Sequence, residues 1–226
     1  MKFVCFDMET SGLNRNSKIY SIGGIVFEQD SDYGPIVRGS IKLFHEFFRT
    51  DYPVTPQVTS ITGLTRGIIN KNAGDLYFEE KLDKFMPFFR EPNTTFIGYN
   101  IKSFDCQVLN NSLLSCGETP VDFSLCRDVM VESRRMLQKT VFAPLARTNI
   151  KQGLAVNLLI KEGNRIHPSF NKQTDDGLES LFFRFCDANN FTGSKIAQLH
   201  SALYDSFLCY LLFVRMNKIT REELLD

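Results

Sequence analysis

The sequence predicts an α/β fold in which helices flank a mixed sheet. Three apolar segments with strand-like patterning open the chain, and segments with apolar residues at helical spacing follow, interspersed with short strands. Strands open the chain, and helices with short strands between them follow. This order favours a layered fold whose sheet contains both parallel and antiparallel strands. The length of 226 residues and the hydrophobic content of 43% suit a single domain over residues 1–226 with a sizeable core.

The first three strands are predicted from composition and alternation. Residues 2–6 are a short apolar run, residues 19–27 are apolar and contain glycine, and residues 40–48 alternate in polarity at their start. The segment EQDSDYGP, rich in turn-forming residues, separates the second run from the third. The chain is therefore expected to open with a meander of three strands.

Helices and short strands are predicted for most of the remaining chain, from the spacing of apolar residues and from the signals that begin and end helices. In chain order they are a short helix in YPVTPQVTSITGLT, a helix at 74–89, a strand at 94–98, a helix at 103–115 with Ser103 as its N-cap, a strand at 121–126, and helices at 128–137, 176–189 and 202–216.

A basic segment interrupts this pattern at about residues 139–175. Between 139 and 174, six basic residues stand against Glu162 alone, a local net charge of +5, whereas the whole chain has 26 basic and 26 acidic residues. Glycine, proline and asparagine break the segment up, and we expect an irregular excursion from the core, folded as a hairpin. The positive charge of this segment would suit binding to the phosphates of a nucleic acid. A solvated surface loop would explain the same charge equally well.

Cysteine usage and hydropathy predict a cytoplasmic or otherwise intracellular protein. None of the six cysteines forms a CxxC pair, which favours reduced thiols and argues against a zinc site. The apolar opening of the chain meets two acidic residues too soon for a secretory signal, and no apolar run reaches the length of a membrane span. We therefore expect no interaction with a membrane.

Two carboxylates, Asp7 and Glu9, follow the first apolar run in FDMETSGL. Residues i and i+2 of a strand share one face, so both side chains project together. Such a pair repels itself unless a cation such as Mg²⁺ or Mn²⁺ neutralises it. A solvated strand end is the alternative explanation. A phosphatase of the haloacid dehalogenase type fits poorly, because its second aspartate is replaced here by Glu9.

Three further residues complete a candidate site. Asp105 follows a predicted strand in FIGYNIKSFD, at a helix start where the dipole also favours acidic residues. His200 and Asp205 lie in HSALYDSF, where five residues on one helix would separate them by about 140°. They can face one site if His200 lies in the loop before the helix. The set then predicts a two-metal site with a water-activating base.

The three motifs FDMETSGL, GYNIKSFD and HSALYD resemble those of the DEDDh-class 3′→5′ exonucleases, which include proofreading exonucleases, ribonuclease T and oligoribonuclease. The resemblance runs from about residue 1 to 215 and implies a ribonuclease-H-like fold with a five-stranded mixed sheet. It implies that Asp7, Glu9, Asp105 and Asp205 bind two Mg²⁺ ions, for which Mn²⁺ can substitute, and that His200 is the general base.

The chain departs from the family pattern at two positions that are not metal ligands. Tyr99 stands where the family often has histidine, and Thr62, Gly63 and Leu64 replace a usual His-Gly-Ile. These changes bear on substrate binding rather than on the chemistry. The stretch 139–175 also exceeds the usual connection of the family.

The resemblance implies hydrolysis of the terminal phosphodiester at 3′ ends of single-stranded DNA or RNA, with DNA slightly preferred and nucleoside 5′-monophosphates released. It also implies replication or repair proteins as partners. Alternatives are an RNA 3′-trimming exonuclease, a non-catalytic nucleic-acid-binding adaptor and a nucleotide phosphatase. Residues near the carboxylates are expected to contact the substrate, namely Met8, Ser11, Leu13, Asn100 and Phe104.

Overall fold

A five-stranded mixed sheet forms the centre of the computed structural model, which describes residues 1–31, 33–37, 39–146, 151–166 and 201–225. The strands lie in the order β3-β2-β1-β4-β5. Their bounds are β1 Lys2–Thr10, β2 Ile19–Glu28, β3 Lys42–Phe47, β4 Thr94–Gly98 and β5 Cys126–Asp128.

The helices lie between and after these strands. They are α1 Pro56–Thr62, α2 Arg66–Ala73, α3 Leu82–Phe89, α4 Asp105–Ser115, α5 Val129–Leu137, α6 Ala143–Ala146, α7 Gln152–Ile166 and α8 Ala202–Leu225, with a short 3₁₀ turn at Glu79–Lys81.

The sheet contains both strand directions, as the sequence predicts. β1 pairs antiparallel with β2, and β2 pairs antiparallel with β3, which gives the predicted meander. β4 runs parallel to β1, and β5 runs parallel to β4. The parallel strands are connected through helices because a parallel crossover needs a dozen or more residues.

The two faces of β1 contribute to two separate cores. Phe3 and Cys5 belong to the cluster that also contains the buried residues of α7 and α8. Val4, Phe6 and Met8 belong to the opposite cluster, with the apolar residues of α3 and α4. This division follows from the alternation of side chains along a strand. Asp7 and Glu9 consequently lie on the same face of the sheet as α8.

Aromatic packing holds β1 in place beneath this face. The Phe6 ring lies 4.9 Å from the Phe89 ring, and it lies 6.3 Å from that of Phe96 and 6.0 Å from that of Phe123, measured between centroids. Such pairs each contribute about 0.5–1.5 kcal/mol beyond the area that they bury. The strand that carries the two carboxylates is therefore a rigid platform.

Most predicted elements are confirmed, with shifted ends. β1 continues past residue 6 to Thr10, and the last helix continues past residue 216 to Leu225. The helix predicted at 74–89 begins only at Leu82, and the strand predicted at 121–126 occupies Cys126–Asp128. The helix predicted at 176–189 lies outside the described residues.

Two predictions of local structure are wrong. Ser103 is not the N-cap of α4, because the cap position is Phe104 and no side chain caps this helix. The basic segment is not a hairpin, since most of its described part is the helix α7. The buried residues of α7 recur at helical spacing and pack with α8, which outweighs the local effect of Gly153 and Gly163.

Two expectations from composition concern the cysteines and membrane spans. The cysteines of the described residues, at positions 5, 106, 116, 126 and 209, form no disulfide bond. Across the described part of the chain, no helix is both long enough and apolar enough to cross a membrane.

Candidate active site

Three carboxylates meet at the end of the central strand. Ligand oxygens of Asp7, Glu9 and Asp205 all lie within 4.8 Å of one another. Glu9 and Asp205 are buried, and Asp7 retains partial access to solvent. Residues distant in sequence are thus brought together, as the motifs predict, at a site that a ligand can reach.

The topology of the sheet explains why Asp105 lies beside this group. β4 pairs with β1 only as far as Cys5, so the chain that leaves β4 passes next to Asp7 and Glu9. Asp105 is the first residue of α4, and it is only 5% exposed. Its carboxylate accepts hydrogen bonds from the backbone amides of Met8 and of Asp105 itself. Asp105 is not one of the three clustered ligands among the described residues.

The first turn of α8 carries Asp205 and is anchored to the sheet. The Asp205 amide donates to the Ser201 carbonyl at 2.8 Å, which begins the helix. The Ser206 hydroxyl donates to the Gly23 carbonyl of β2 at 2.8 Å. The Cys5 thiol donates to the Ser206 carbonyl at 3.3 Å. The helix start is therefore bonded to both β1 and β2.

Burial and mutual repulsion raise the pKa values of the carboxylates. Burial raises the pKa of Asp7 well above its ordinary value, and the charges of Asp105, Asp205 and Glu9 add to this effect. The pKa of Glu9 is raised well above its ordinary value for the same reasons, burial first and then Asp205 and Asp105. Burial raises the pKa of Asp105 to about 7, although its backbone hydrogen bonds act in the opposite direction. Charged carboxylates are costly here unless a cation compensates them.

The residues fit a hard divalent cation. The donors are carboxylate oxygens, which Mg²⁺ and Mn²⁺ prefer. Ser21 lies opposite Glu9 in the β1–β2 register, so both side chains are on one face. Its hydroxyl is buried and has no hydrogen-bond partner within the described part of the chain. A hydrated ion would offer a partner for that hydroxyl, because Mg²⁺ usually retains several waters.

The predicted base lies just before the helix. His200 is outside the described residues, so its role stays a prediction. α8 begins at Ala202, two residues later, and Asp205 lies on the helix. That helix start agrees with the arrangement in which the histidine precedes the helix and the aspartate belongs to it.

Met8, a predicted substrate contact, lies on the core side of β1, and its role stays a prediction. Its side chain is 5% exposed and packs in the core with Val4 and Phe6, on the face of β1 opposite to Asp7. The physical reason is strand alternation, which sends residue 8 away from its two acidic neighbours. The close spacing in sequence therefore does not translate into a shared surface.

The other candidate substrate contacts lie in the two loops next to the site. Leu13 is 94% exposed. Ser11 closes its loop, because its amide donates to the Lys18 carbonyl and its hydroxyl accepts from the Lys18 amide, both at 2.9 Å. Phe104 is half-buried and packs against the core cluster that contains Met8. The roles of these residues in substrate binding stay predictions.

Asn100 has an exposed side chain and an unusual backbone. Its φ of 64° is in the left-handed region, which asparagine tolerates better than most residues. Its amide donates to Asp128 Oδ1 at 3.1 Å, and the same carboxylate caps α5. Asp128 therefore fixes the loop that leads to Asp105.

The sequence belongs to a known family. A family model described as an exonuclease of the ribonuclease T type matches residues 4–171. The chain belongs to this exonuclease family. The predicted membership of the DEDDh-type exonuclease superfamily is confirmed. No curated protein sequence matches the chain significantly.

Solved structures of exonuclease I share the fold of this exonuclease domain. One is the zinc-bound complex of E. coli exonuclease I with single-stranded DNA, with a TM-score of 0.61, 18% identity, and coverage of 100% of this chain and 42% of that one. Another is exonuclease I from Methylocaldum szegediense, with a TM-score of 0.50, 22% identity, and coverage of 61% and 29%. The chain thus spans less than half of these proteins. The predicted ribonuclease-H-like fold is confirmed.

Proposed function

We propose that this domain is a metal-dependent 3′→5′ exonuclease that acts on single-stranded nucleic acid, with DNA slightly preferred over RNA, and that releases nucleoside 5′-monophosphates. The observation that carries the proposal is the group of three carboxylates, Asp7, Glu9 and Asp205, within 4.8 Å of one another beside Asp105. Family membership supports it as well.

The carboxylates would hold two Mg²⁺ ions, for which Mn²⁺ can substitute. In this proposal Asp7, Glu9 and Asp205 would hold the ions together, and Asp105 would assist beside them. When bound, such a pair generates a hydroxide nucleophile and neutralises the charge that develops on the leaving oxygen. The partial solvent access of Asp7 supports a role in contact with an incoming phosphate.

His200 is proposed as the base that accepts the proton of the attacking water. Only the neutral imidazole can accept it, and the reference pKa of histidine is about 6.5. Activity is therefore expected to rise with pH through the neutral range. A position just before α8 suits this role, because a group in a loop can move toward the substrate when it binds.

The 3′ end would be held by the loops that border the carboxylates. Leu13 is proposed to pack against a terminal base, since it is almost fully exposed and lies four residues after Glu9. Ser11, Asn100 and Phe104 would line the same entrance. The single-stranded DNA that is bound to the related E. coli exonuclease I supports this choice of substrate.

Matched DNA and RNA oligonucleotides test the polarity and the substrate together. Each strand is labelled at its 5′ end and carries either a free or a blocked 3′ end, and the digestion is followed with Mg²⁺ or Mn²⁺. We expect progressive shortening only from free 3′ ends, with DNA degraded somewhat faster, and no shortening by Asp7→Ala.

Other outcomes of this experiment separate the alternatives. Faster degradation of RNA would indicate an RNA-trimming enzyme. Binding of the strands without shortening would indicate an adaptor, and turnover of free nucleoside phosphates alone would indicate a phosphatase. Shortening from blocked 3′ ends would contradict the proposed polarity.

A further inference from the structure

The backbone of α8 touches the sheet at one glycine. A Cβ atom on Gly23 would lie 2.3 Å from the Leu203 amide nitrogen, 2.6 Å from the Leu203 Cα and 2.7 Å from the Ala202 carbonyl carbon. These are backbone atoms, so no side-chain rotation can relieve such a contact. Only glycine allows the first turn of α8 to approach β2 this closely.

Gly23 is also directly opposite Asp7. The two residues are partners in the antiparallel β1–β2 register. Ala202 and Leu203, which lie on Gly23, are fully buried there and precede Asp205 by less than one helical turn. The same glycine therefore borders one carboxylate of the site and the helix segment that carries another.

Hydrogen bonds fix the depth of this contact. The Ser206 hydroxyl, adjacent to Asp205, lies 2.8 Å from the Gly23 carbonyl and 2.6 Å from the Ala202 carbonyl, so its one proton is shared between β2 and the first turn of α8. The Ser206 carbonyl accepts from the Cys5 thiol. Ser206 is fully buried, so these bonds cannot exchange readily with water. These bonds hold the first turn of α8 at one position on the sheet.

We propose that Gly23 is a positioning residue of the metal centre, which sets the distance between Asp205 and the Asp7–Glu9 pair. This inference rests on the proposed function, in which these carboxylates hold divalent ions. An alanine at position 23 would move α8 outward by about 1 Å to restore ordinary contact with Leu203. Mg²⁺ requires oxygens at about 2.0–2.1 Å, so a displacement of that size would remove Asp205 from coordination.

The neighbouring Gly24 offers a matched control. A Cβ there would lie 2.3 Å from the Phe44 ring, which belongs to the core on the opposite face of the sheet. Gly24→Ala therefore also strains β2, but against a different layer and away from α8. The two variants separate loss of stability from loss of ligand geometry.

The experiment compares the wild type, Gly23→Ala and Gly24→Ala. Mn²⁺ affinity is measured by titration calorimetry, melting temperature is measured without metal, and kcat and KM are measured on a single-stranded oligonucleotide. We expect Gly23→Ala to bind Mn²⁺ at least about tenfold more weakly and to lose on the order of 10²-fold in kcat, with little change in KM. Raising the Mn²⁺ concentration should restore part of the activity. Gly24→Ala should lower the melting temperature without changing Mn²⁺ affinity.

Equal Mn²⁺ affinities of Gly23→Ala and the wild type would overturn the proposal. If Gly23→Ala does not fold, Ser206→Ala provides the test, because it removes the bond to the Gly23 carbonyl while retaining the glycine. We expect weaker Mn²⁺ binding by that variant, and unchanged binding would overturn the proposal. A wild type that binds Mn²⁺ but degrades no strand would contradict the proposed function alone, since Mn²⁺ affinity still measures the positioning.

Discussion

At the scale of single residues, the site brings several carboxylates together in a buried position, where packing alone would favour apolar side chains. Buried carboxylates are expensive, and burial and repulsion raise the pKa values of Asp7 and Glu9. Nothing in the core packing of β1 requires acidic side chains at these positions. The proposed metal binding would explain their presence, and residues of this kind are expected to reduce the stability of the metal-free protein.

Asp7→Asn should therefore separate stability from activity. The substitution removes one charge from the cluster but keeps the shape of the side chain. We expect the metal-free protein to melt higher, by about 2–4 °C for each kcal/mol of repulsion that is removed. The metal ions would stabilise the transition state by several kcal/mol, and loss of that stabilisation should lower kcat by about 10³-fold. Calorimetry and oligonucleotide digestion provide the two measurements. A lower melting temperature without metal would contradict the electrostatic explanation.

The raised pKa values also predict how pH acts on stability. Burial raises the pKa of Asp105 to about 7, so between about pH 4 and 7 the folded metal-free protein holds a proton that the unfolded chain has released. Stability contributed by this group is therefore lost as the pH rises through 7. Metal ions compete with that proton and bind more tightly at high pH.

We accordingly expect Mn²⁺ to raise the melting temperature more at pH 8 than at pH 5. Scanning calorimetry with and without Mn²⁺ at the two pH values measures this difference. Asp105→Asn is the control, because it lacks the titrating group and should show a smaller dependence on pH. An equal Mn²⁺ effect at both pH values in the wild type would contradict the prediction.

At the scale of elements, α7 shows how packing decides the structure of an ambiguous segment. Its buried apolar residues pack with α8, whereas Lys161 and Arg165 on the helix and Lys151 just before it are exposed. Glu162 is buried and accepts from Arg165, so the only acidic residue of this helix is neutralised. The helix α7 and the residue before it thus present a cationic outer surface.

This surface is proposed to follow the backbone of the substrate strand. Lys151→Glu combined with Lys161→Glu should raise KM and reduce the salt dependence of binding by about 0.7 in log–log slope for each phosphate contact that is lost. Lys84→Glu on α3 is the control, because its exposed side chain lies on a helix that packs on the opposite face of the sheet. Binding by fluorescence anisotropy at several salt concentrations measures the effect. Unchanged binding by the double variant would show that the lysines only solvate the surface.

At the scale of the whole molecule, the sequence predicts the sheet better than the boundaries of the helices. Strands β1, β2 and β4 are largely buried and each contains an apolar run, which is visible in the sequence because it depends only on burial of a short segment. Helix starts such as that of α4 depend on the neighbouring chain, which local signals do not report. The hairpin predicted for the basic segment was wrong for the same reason.

The same difference between local sequence signals and tertiary packing applies to the candidate site. The carboxylates could be found because residue type and order carry their chemistry. Gly23, Ser21 and Asp128 could not be assigned in advance, since their importance depends on which strand lies opposite Asp7 and which loop passes Asp105. Those neighbours are products of the strand order, which follows from tertiary packing and not from any one motif.

The distance along the chain between the ligands has a consequence for the life of the protein in a cell. Asp205 is 198 residues beyond Asp7, and its seat on β2 exists only once the sheet is built. A chain that is still emerging from the ribosome, or one whose last helix has detached, would lack one of the proposed metal ligands and would not cleave a substrate. An incompletely synthesised or partly unfolded chain would therefore not degrade cellular RNA or DNA.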